Sequence, residues 1–155
     1  MKWLWFFISR CLLLWLVVVV HFAVSYLLPF PASNLNVIFV FLLLWLVFTD
    51  SISVVWLSFW LHLFLELYSA SPYGILLFSG TLSLLFIFWL FRRFFSKHSW
   101  YSIILLTLLS WFLYRVFYIL LIIGFTFFSQ AEKIIWKEWI YFTVWELITT
   151  EVAIL

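Results

Sequence analysis

The residues best able to do chemistry in this chain are a few ionisable side chains that interrupt long apolar segments. Such groups are rarely buried without a partner, so each one is a candidate functional residue. His62 and Glu66 are four residues apart, which places both on one face of a helix. A neutral histidine there could donate a hydrogen bond to the carboxylate. The ionisable residues within the apolar segments are Arg10, His21, Asp50, His62, Glu66, Arg115 and Glu146.

The chemistry open to His62 and Glu66 is narrow. Two possible ligands with no third at a useful spacing are only weak evidence for a zinc site. The other interpretations are a proton relay and a polar stripe that faces neighbouring helices. Neither G-x-S-x-G nor H-E-x-x-H occurs, and the single Cys11 cannot form an internal disulfide. The sequence therefore favours a protein that is not an enzyme and has no cofactor or metal.

Arg115 and Glu146 form the second candidate site. Each lies near the middle of its apolar segment, too deep for the charged head to reach water easily. Their matching depth predicts an ion pair. The pair could brace two helices, or it could take part in transport or partner binding.

Composition decides the environment of these residues. Of the 155 residues, 69% are hydrophobic and 9% are charged, and the mean hydropathy is +1.28. Soluble domains have about 25% charged residues, so this chain lacks the surface that water requires. The sequence predicts one integral membrane domain over residues 1–155 and excludes a soluble nucleotide-binding domain. A net charge of +2 is too small to indicate nucleic-acid binding.

The apolar runs are continuous and rich in Leu and Phe, which favours membrane helices over strands with alternating polarity. Breaks in hydropathy predict an all-α fold with about six transmembrane helices. The sixth carries several charges, so it could instead lie in the membrane interface. The predicted segments are Trp3–Leu28, Leu35–Phe48, Ile52–Tyr68, Pro72–Phe91, Trp100–Phe128 and a final helix within Ile134–Leu155.

Lysine and arginine predict the orientation, because they are enriched on the cytoplasmic side of membrane proteins. A cytoplasmic N-terminus places five basic residues inside and two outside. The inside residues are Lys2, Arg10, Arg92, Arg93 and Lys97, and the outside residues are Lys133 and Lys137. The turn from Ser69 to Tyr73 then faces outward.

The turn after Glu66 has signals for a helix start. Ser71 is a suitable N-cap for the fourth helix, and Pro72 suits its first turn. Within that helix the small residues Ser79, Gly80 and Ser83 predict close approach to a neighbouring helix.

This same stretch, "ELYSASPYG" from Glu66 to Gly74, resembles a motif of the rod shape-determining MreD family. The family has an acidic residue, Leu, a variable residue, Ser, a small residue, Ser or Thr, two variable residues and Gly. Its usual acid is Asp rather than Glu, and it often has Pro where this chain has Asn34 and Asn36. The matching residues are Glu66, Leu67, Ser69, Ala70, Ser71 and Gly74.

The resemblance implies a scaffold in the bacterial cytoplasmic membrane, embedded in its lipids. It would bind a bitopic MreC-like protein and act indirectly with MreB-like filaments and the peptidoglycan polymerase and transpeptidase. The implied fold resembles the six-helix substrate-binding component of energy-coupling-factor transporters. Such a transporter subunit is the alternative function, although the outer loops here are short. The candidate functional or partner-binding residues are His62, Glu66, Ser69, Ser71, Gly74, Arg115 and Glu146.

Overall fold

The computed structural model describes residues 2–69, 72–94, 100–128 and 136–154. Ala70, Ser71, Lys97 and Lys133, on which some predictions depend, lie outside these ranges. Within them the chain folds into six α-helices and one short 3-10 turn, Ala32–Asn34. The helices are α1 (Lys2–Leu27), α2 (Val37–Thr49), α3 (Ser53–Tyr68), α4 (Ile75–Phe94), α5 (Trp100–Phe128) and α6 (Trp136–Ile154).

Three of these helices contain segments long and apolar enough to cross a membrane. The segments are Ile8–Leu27, Ile75–Phe94 and Ile103–Phe125, of 20, 20 and 23 residues. A membrane span needs about 20 predominantly apolar residues. The all-helical fold is therefore confirmed, and these segments indicate a membrane protein. Crossing by the shorter helices α2 and α3, and by α6, stays a prediction.

The short helix α2 lies in the middle of the bundle. It begins at Asn36, whose side chain accepts a hydrogen bond from the Phe39 amide at 3.1 Å, as an N-cap residue does. It ends at Asp50, which adopts the left-handed conformation with φ of 46°. Twelve of its 13 residues are apolar; the surrounding helices bury five of them, whereas Phe48 near its end is 82% exposed. Its buried residues are Ile38, Phe39, Leu42, Leu43 and Leu46.

One end of the bundle is basic. Arg10 of α1 and Ser53 at the start of α3 border the same hollow. Arg92, near the end of α4, has its Nε 3.4 Å from the Asp50 carboxylate in the α2–α3 turn. We call the end of the bundle that contains Arg10, Arg92 and Arg93 the basic end.

The opposite end presents polar side chains among the described residues. Tyr26 near the end of α1 and Tyr68 at the end of α3 border one hollow, so the two helices run in the same direction. We call this the polar end, and it contains Asn36, Ser69 and Gly74.

The observed helices differ from the predicted ones mainly in α4. This helix begins at Ile75, so the prediction that Pro72 lies in its first turn is wrong. Pro72 lies just before the helix, where its carbonyl accepts a hydrogen bond from the Ile75 amide at 3.3 Å. At the other end α4 continues through Arg92 and Arg93 to Phe94.

Candidate functional site

Glu66 is buried at the junction of α3 and α4, with only 3% of its surface exposed. Its two carboxylate oxygens accept hydrogen bonds from backbone amides at the start of α4. Oε1 accepts from Gly74 at 2.9 Å, and Oε2 accepts from Leu77 at 2.7 Å. One carboxylate thus binds the amide just before the helix and the amide of its third residue.

This arrangement explains why an acid occurs here. The first amides of a helix have no partner inside the helix, and the helix dipole places partial positive charge at that end. A carboxylate from the preceding helix accepts hydrogen bonds from these amides and also neutralises the partial positive charge. Gly74 adopts a φ of +99°, which a glycine tolerates without the penalty that a side chain would bring. Glu66 therefore anchors α4 to α3.

Ser69 ends α3 on the other side of this junction. It has an extended backbone, and its amide donates to the Glu66 carbonyl at 3.2 Å. Both the backbone and the side chain of Glu66 are therefore hydrogen-bonded: its carbonyl to the end of α3, and its carboxylate to the start of α4. The predicted cap Ser71 lies outside the described residues, and the Glu66 side chain fills the capping position.

His62 is buried one helical turn before Glu66, with 2% of its surface exposed. Its Nδ1 lies 2.8 Å from the Ser58 carbonyl oxygen and 3.1 Å from the Ser58 hydroxyl oxygen. The predicted shared face with Glu66 is correct, but this nitrogen contacts Ser58 in place of the expected carboxylate.

The imidazole of His62 packs directly on Gly80 of α4. A Cβ at Gly80 would clash with the His62 ring, so any side chain there would require the ring to move. Ser79 and Ser83, on the same helix, are fully buried. The predicted close approach at these small residues is therefore confirmed, and His62 is the group that fills the space.

Arg115 and Glu146 form the predicted ion pair between α5 and α6. The Arg115 guanidinium also lies over the Tyr114 ring, with its Cζ 5.6 Å from the ring centroid. The second oxygen of Glu146 accepts a hydrogen bond from the Asn36 side-chain amide at 2.9 Å. Because Asn36 also caps α2, this carboxylate connects three helices.

Ser69, which ends α3, and Glu146 of the ion pair border one cleft at the polar end, with a volume of about 280 Å³. Two polar atoms near it, His21 Nδ1 and Asn34 Nδ2, are buried without a hydrogen-bond partner in the described structure. We call this hollow the polar cleft. Its polar lining residues are His21, Ser25, Ser33, Asn34, Asn36, Tyr68, Ser69, Tyr114 and Glu146.

A second feature runs along the outside of the bundle between α1 and α3. Two hollows of about 430 Å³ each share Trp15 and Phe64, so together they make one continuous furrow. We call it the aromatic groove. Its aromatic lining residues are Trp15, Phe22, Tyr26, Trp56, Trp60, Phe64 and Tyr68.

Sequence reasoning missed the role of Asn36. The signal was present, because Asn immediately before an apolar run is a common N-cap. Its contact with Glu146 spans 110 residues, and no local pattern indicates such a contact. The aromatic groove was also missed, because the spacing of aromatic residues does not show which helix faces another.

The fold and these contacts define a class: an all-helical membrane protein in which buried and partly buried polar side chains hold the helices together. Among the residues that the structure describes, no three His, Cys, Asp or Glu side chains are placed to hold a metal ion. No family model matches the chain, and neither the curated proteins nor the solved structures include a match.

Proposed function

We propose that this chain is a non-enzymatic scaffold of the bacterial cell-elongation machinery, of the MreD type. In this proposal it holds the transmembrane helix of a bitopic MreC-like partner in the aromatic groove. The aromatic groove is the main observation behind the proposal. Its length, its lining and its position beside α1 each support the binding of a transmembrane helix.

The length of the groove suits a helix that crosses the whole membrane. Along α1 it extends from Arg10 to Tyr26, and along α3 from Ser53 to Tyr68. These intervals correspond to about 24 Å and 22 Å of helix. The hydrocarbon core of a bilayer is about 30 Å thick, so the groove covers most of it.

The lining of the groove suits a helix rather than a polar solute. Association of helices in lipid depends on close packing, since lipid tails are as apolar as leucine. Trp15 and Trp56 are each 66% exposed and offer large flat surfaces for such packing. Aromatic residues of this kind dominate binding energies at protein interfaces.

Helix α1 is the element that leaves room for a partner. Only 11% of its apolar segment is buried, whereas half of the α4 segment is buried. A partner helix in the groove would contact both α1 and α3, and would cover the surface that the bundle leaves open.

The stretch from Glu66 to Gly74 also supports the proposal, since it carries the likeness to the MreD family. In the proposed arrangement six helices cross the bacterial cytoplasmic membrane. The basic end faces the cytoplasm, in keeping with the excess of basic residues there. The bound partner would link the chain to MreB-like filaments and to the peptidoglycan polymerase and transpeptidase.

Co-purification with a tagged MreC-like protein tests the proposal. We expect the pair Trp15→Ala and Trp60→Ala to reduce partner recovery at least tenfold, since aromatic anchors often contribute 2 kcal/mol or more each. Trp89→Ala is the matched control, because Trp89 is 53% exposed but lies on α4, outside the aromatic groove. Its recovery should equal that of the unaltered chain.

A photo-crosslinking residue gives an independent readout. Placed at Trp60, it should form a crosslink with the partner. Placed at Leu120, an exposed position on α5, it should not. Equal crosslinking at both positions, or full recovery with both groove tryptophans removed, would show that the helix binds elsewhere. Depletion in a rod-shaped host should make the cells round, and unchanged shape would contradict the cell-elongation role.

The polar cleft favours a second candidate, the substrate-binding subunit of an energy-coupling-factor transporter. Its two buried polar atoms without partners, on His21 and Asn34, could bind a small solute. Co-purification separates the candidates. Recovery of ATPase subunits, with no MreC-like protein, would establish the transporter in place of the scaffold.

A further inference from the structure

A further hollow, separate from the aromatic groove, follows one face of α4. Its volume is about 850 Å³, the largest of the hollows described here. Positions spaced by three and four residues share one face of a helix, and the lining residues of α4 follow that spacing. We call it the arginine groove, and it is lined by Ile52, Leu85, Phe86, Phe88, Trp89, Arg92 and Arg93.

The length of the arginine groove sets it apart from the aromatic groove. From Leu85 to Arg93 it covers nine residues of α4, and the first and last of these are about 12 Å apart along the helix. That is close to half of the roughly 30 Å hydrocarbon core. A groove of this length matches one leaflet of the bilayer and is too short for a helix that crosses both.

Its two ends have different chemistry. The wall toward the middle of α4 is apolar, whereas the other end carries two guanidinium groups at the basic end of the bundle. Arg92 Cζ lies 5.1 Å from the centroid of the Phe88 ring, and Arg93 Cζ lies 5.4 Å from that of Trp89. Both cations are thus placed over the aromatic walls of the groove.

The guanidinium groups have capacity for an anion. A guanidinium has five N–H donors, and the contact of Arg92 with Asp50 uses its Nε. The Arg92 side chain stays 59% exposed. Among the described residues at the mouth of the groove, two guanidiniums and one carboxylate leave a net positive charge, and Arg is suited to phosphate.

We propose that the arginine groove binds an anionic phospholipid. Its phosphate lies against Arg92 and Arg93, and one acyl chain lies along Leu85, Phe86 and Trp89. A lipid with net negative charge binds better than a zwitterionic one, because a positive headgroup would approach the two arginines. This site does not depend on the scaffold function proposed above.

Native mass spectrometry of the purified full chain in detergent tests the proposal. The probes are phosphatidylglycerol and phosphatidylcholine with identical acyl chains. We expect retention of phosphatidylglycerol to exceed that of phosphatidylcholine. Joint substitution of Arg92→Gln and Arg93→Gln should weaken phosphatidylglycerol binding by about fivefold for each arginine. Arg10→Gln, at the same end but beside the other groove, should leave it unchanged.

A second variant tests the acyl-chain half of the site and does not alter its charge. Leu85→Trp fills the groove from a position that is 42% exposed, so we expect the fold to accommodate the larger side chain. We expect it to reduce phosphatidylglycerol binding while Arg92 and Arg93 remain.

Several outcomes would overturn the proposal. These are equal retention of the two lipids, and an effect of Arg10→Gln as large as that of the double variant. Full competition by glycerol phosphate would show an anion site without a lipid chain. Crosslinking of the MreC-like helix from a probe at Phe86 would show that the groove binds a protein.

Discussion

Two carboxylates, the buried Glu66 and the partly buried Glu146, hold this bundle together, and they do so over very different distances in the chain. Glu66 accepts hydrogen bonds from amides eight and eleven residues away, at the start of the next helix. Glu146 pairs with Arg115 of α5 and accepts from Asn36, which lies 110 residues away. The first therefore determines how one helix follows another, and the second determines how three separate helices meet.

The partners also differ in kind. Glu66 binds backbone amides, which every residue except proline offers. Glu146 binds two particular side chains, of which one carries a charge. Loss of the Glu66 carboxylate should therefore loosen a local junction, whereas loss of Arg115 should leave an uncompensated charge inside the bundle. The predictions below test this difference, from the largest effect to the smallest.

Arg115→Met should have the largest effect. Removal of one partner of a buried ion pair costs about 3–5 kcal/mol, because the other charge stays buried. Both side chains here are 15% exposed, so we expect a cost toward the lower end of that range. Thermal unfolding of the purified chain in detergent measures it, and hydrogen exchange should increase in α2, α5 and α6 together.

The double variant Arg115→Met with Glu146→Gln provides the control. Glutamine keeps an oxygen that can accept from Asn36, while the unpaired charge is gone. We therefore expect the double variant to be more stable than Arg115→Met alone. If the effects of the two single changes simply add, the ion pair is not what couples α5 to α6.

Glu66→Gln should have a smaller and more local effect. One amide oxygen can replace one of the two acceptors, but the NH₂ group then faces a backbone N–H that has lost its partner. We expect a loss of about 2 kcal/mol. Hydrogen exchange should increase at Gly74 and Leu77 and remain unchanged at the α5–α6 contact.

Glu151→Gln is the matched control for Glu66→Gln. Glu151 lies on α6, and its Oε1 is buried with no hydrogen-bond partner in the described structure. Its loss should leave the stability unchanged or raise it slightly. Equal effects of the two substitutions would show that the contacts with α4 contribute nothing, and that only removal of a carboxylate matters.

The two carboxylates also show how far the sequence predicts this molecule. The helix positions were predicted from hydropathy and from the polar breaks between apolar runs. In lipid, a continuous apolar run satisfies its backbone hydrogen bonds best as a helix. Arg115–Glu146 followed from equal depth, because a charge in a helix centre requires a partner. The capping role of Glu66 could not be predicted from the sequence. Nearly every residue has a backbone amide, so residue types do not show which amides a carboxylate will bind. Asn36 was missed because its contact depends on the packing of α2 against α6.

The packing of α3 on α4 beside Glu66 leads to the smallest predicted effect. Gly80→Ala places a methyl group where the His62 ring lies, and the ring must move away from Ser58. Overpacking of this kind costs about 1–2 kcal/mol. Thermal unfolding in detergent should show the loss for Gly80→Ala. Gly124→Ala, on α5 with no atom within 4 Å of the added carbon, should be neutral or slightly stabilising.

The cause of the Gly80→Ala effect can be isolated in a His62→Ala background. There the added methyl group enters space that the imidazole has left, so Gly80→Ala should cost nothing and should partly refill the cavity. A full penalty in that background would mean that the backbone of α3, and not the His62 ring, sets the distance between the two helices. The junction would then depend on helix contact alone, and Glu66 would hold α4 at a spacing already determined by the main chain.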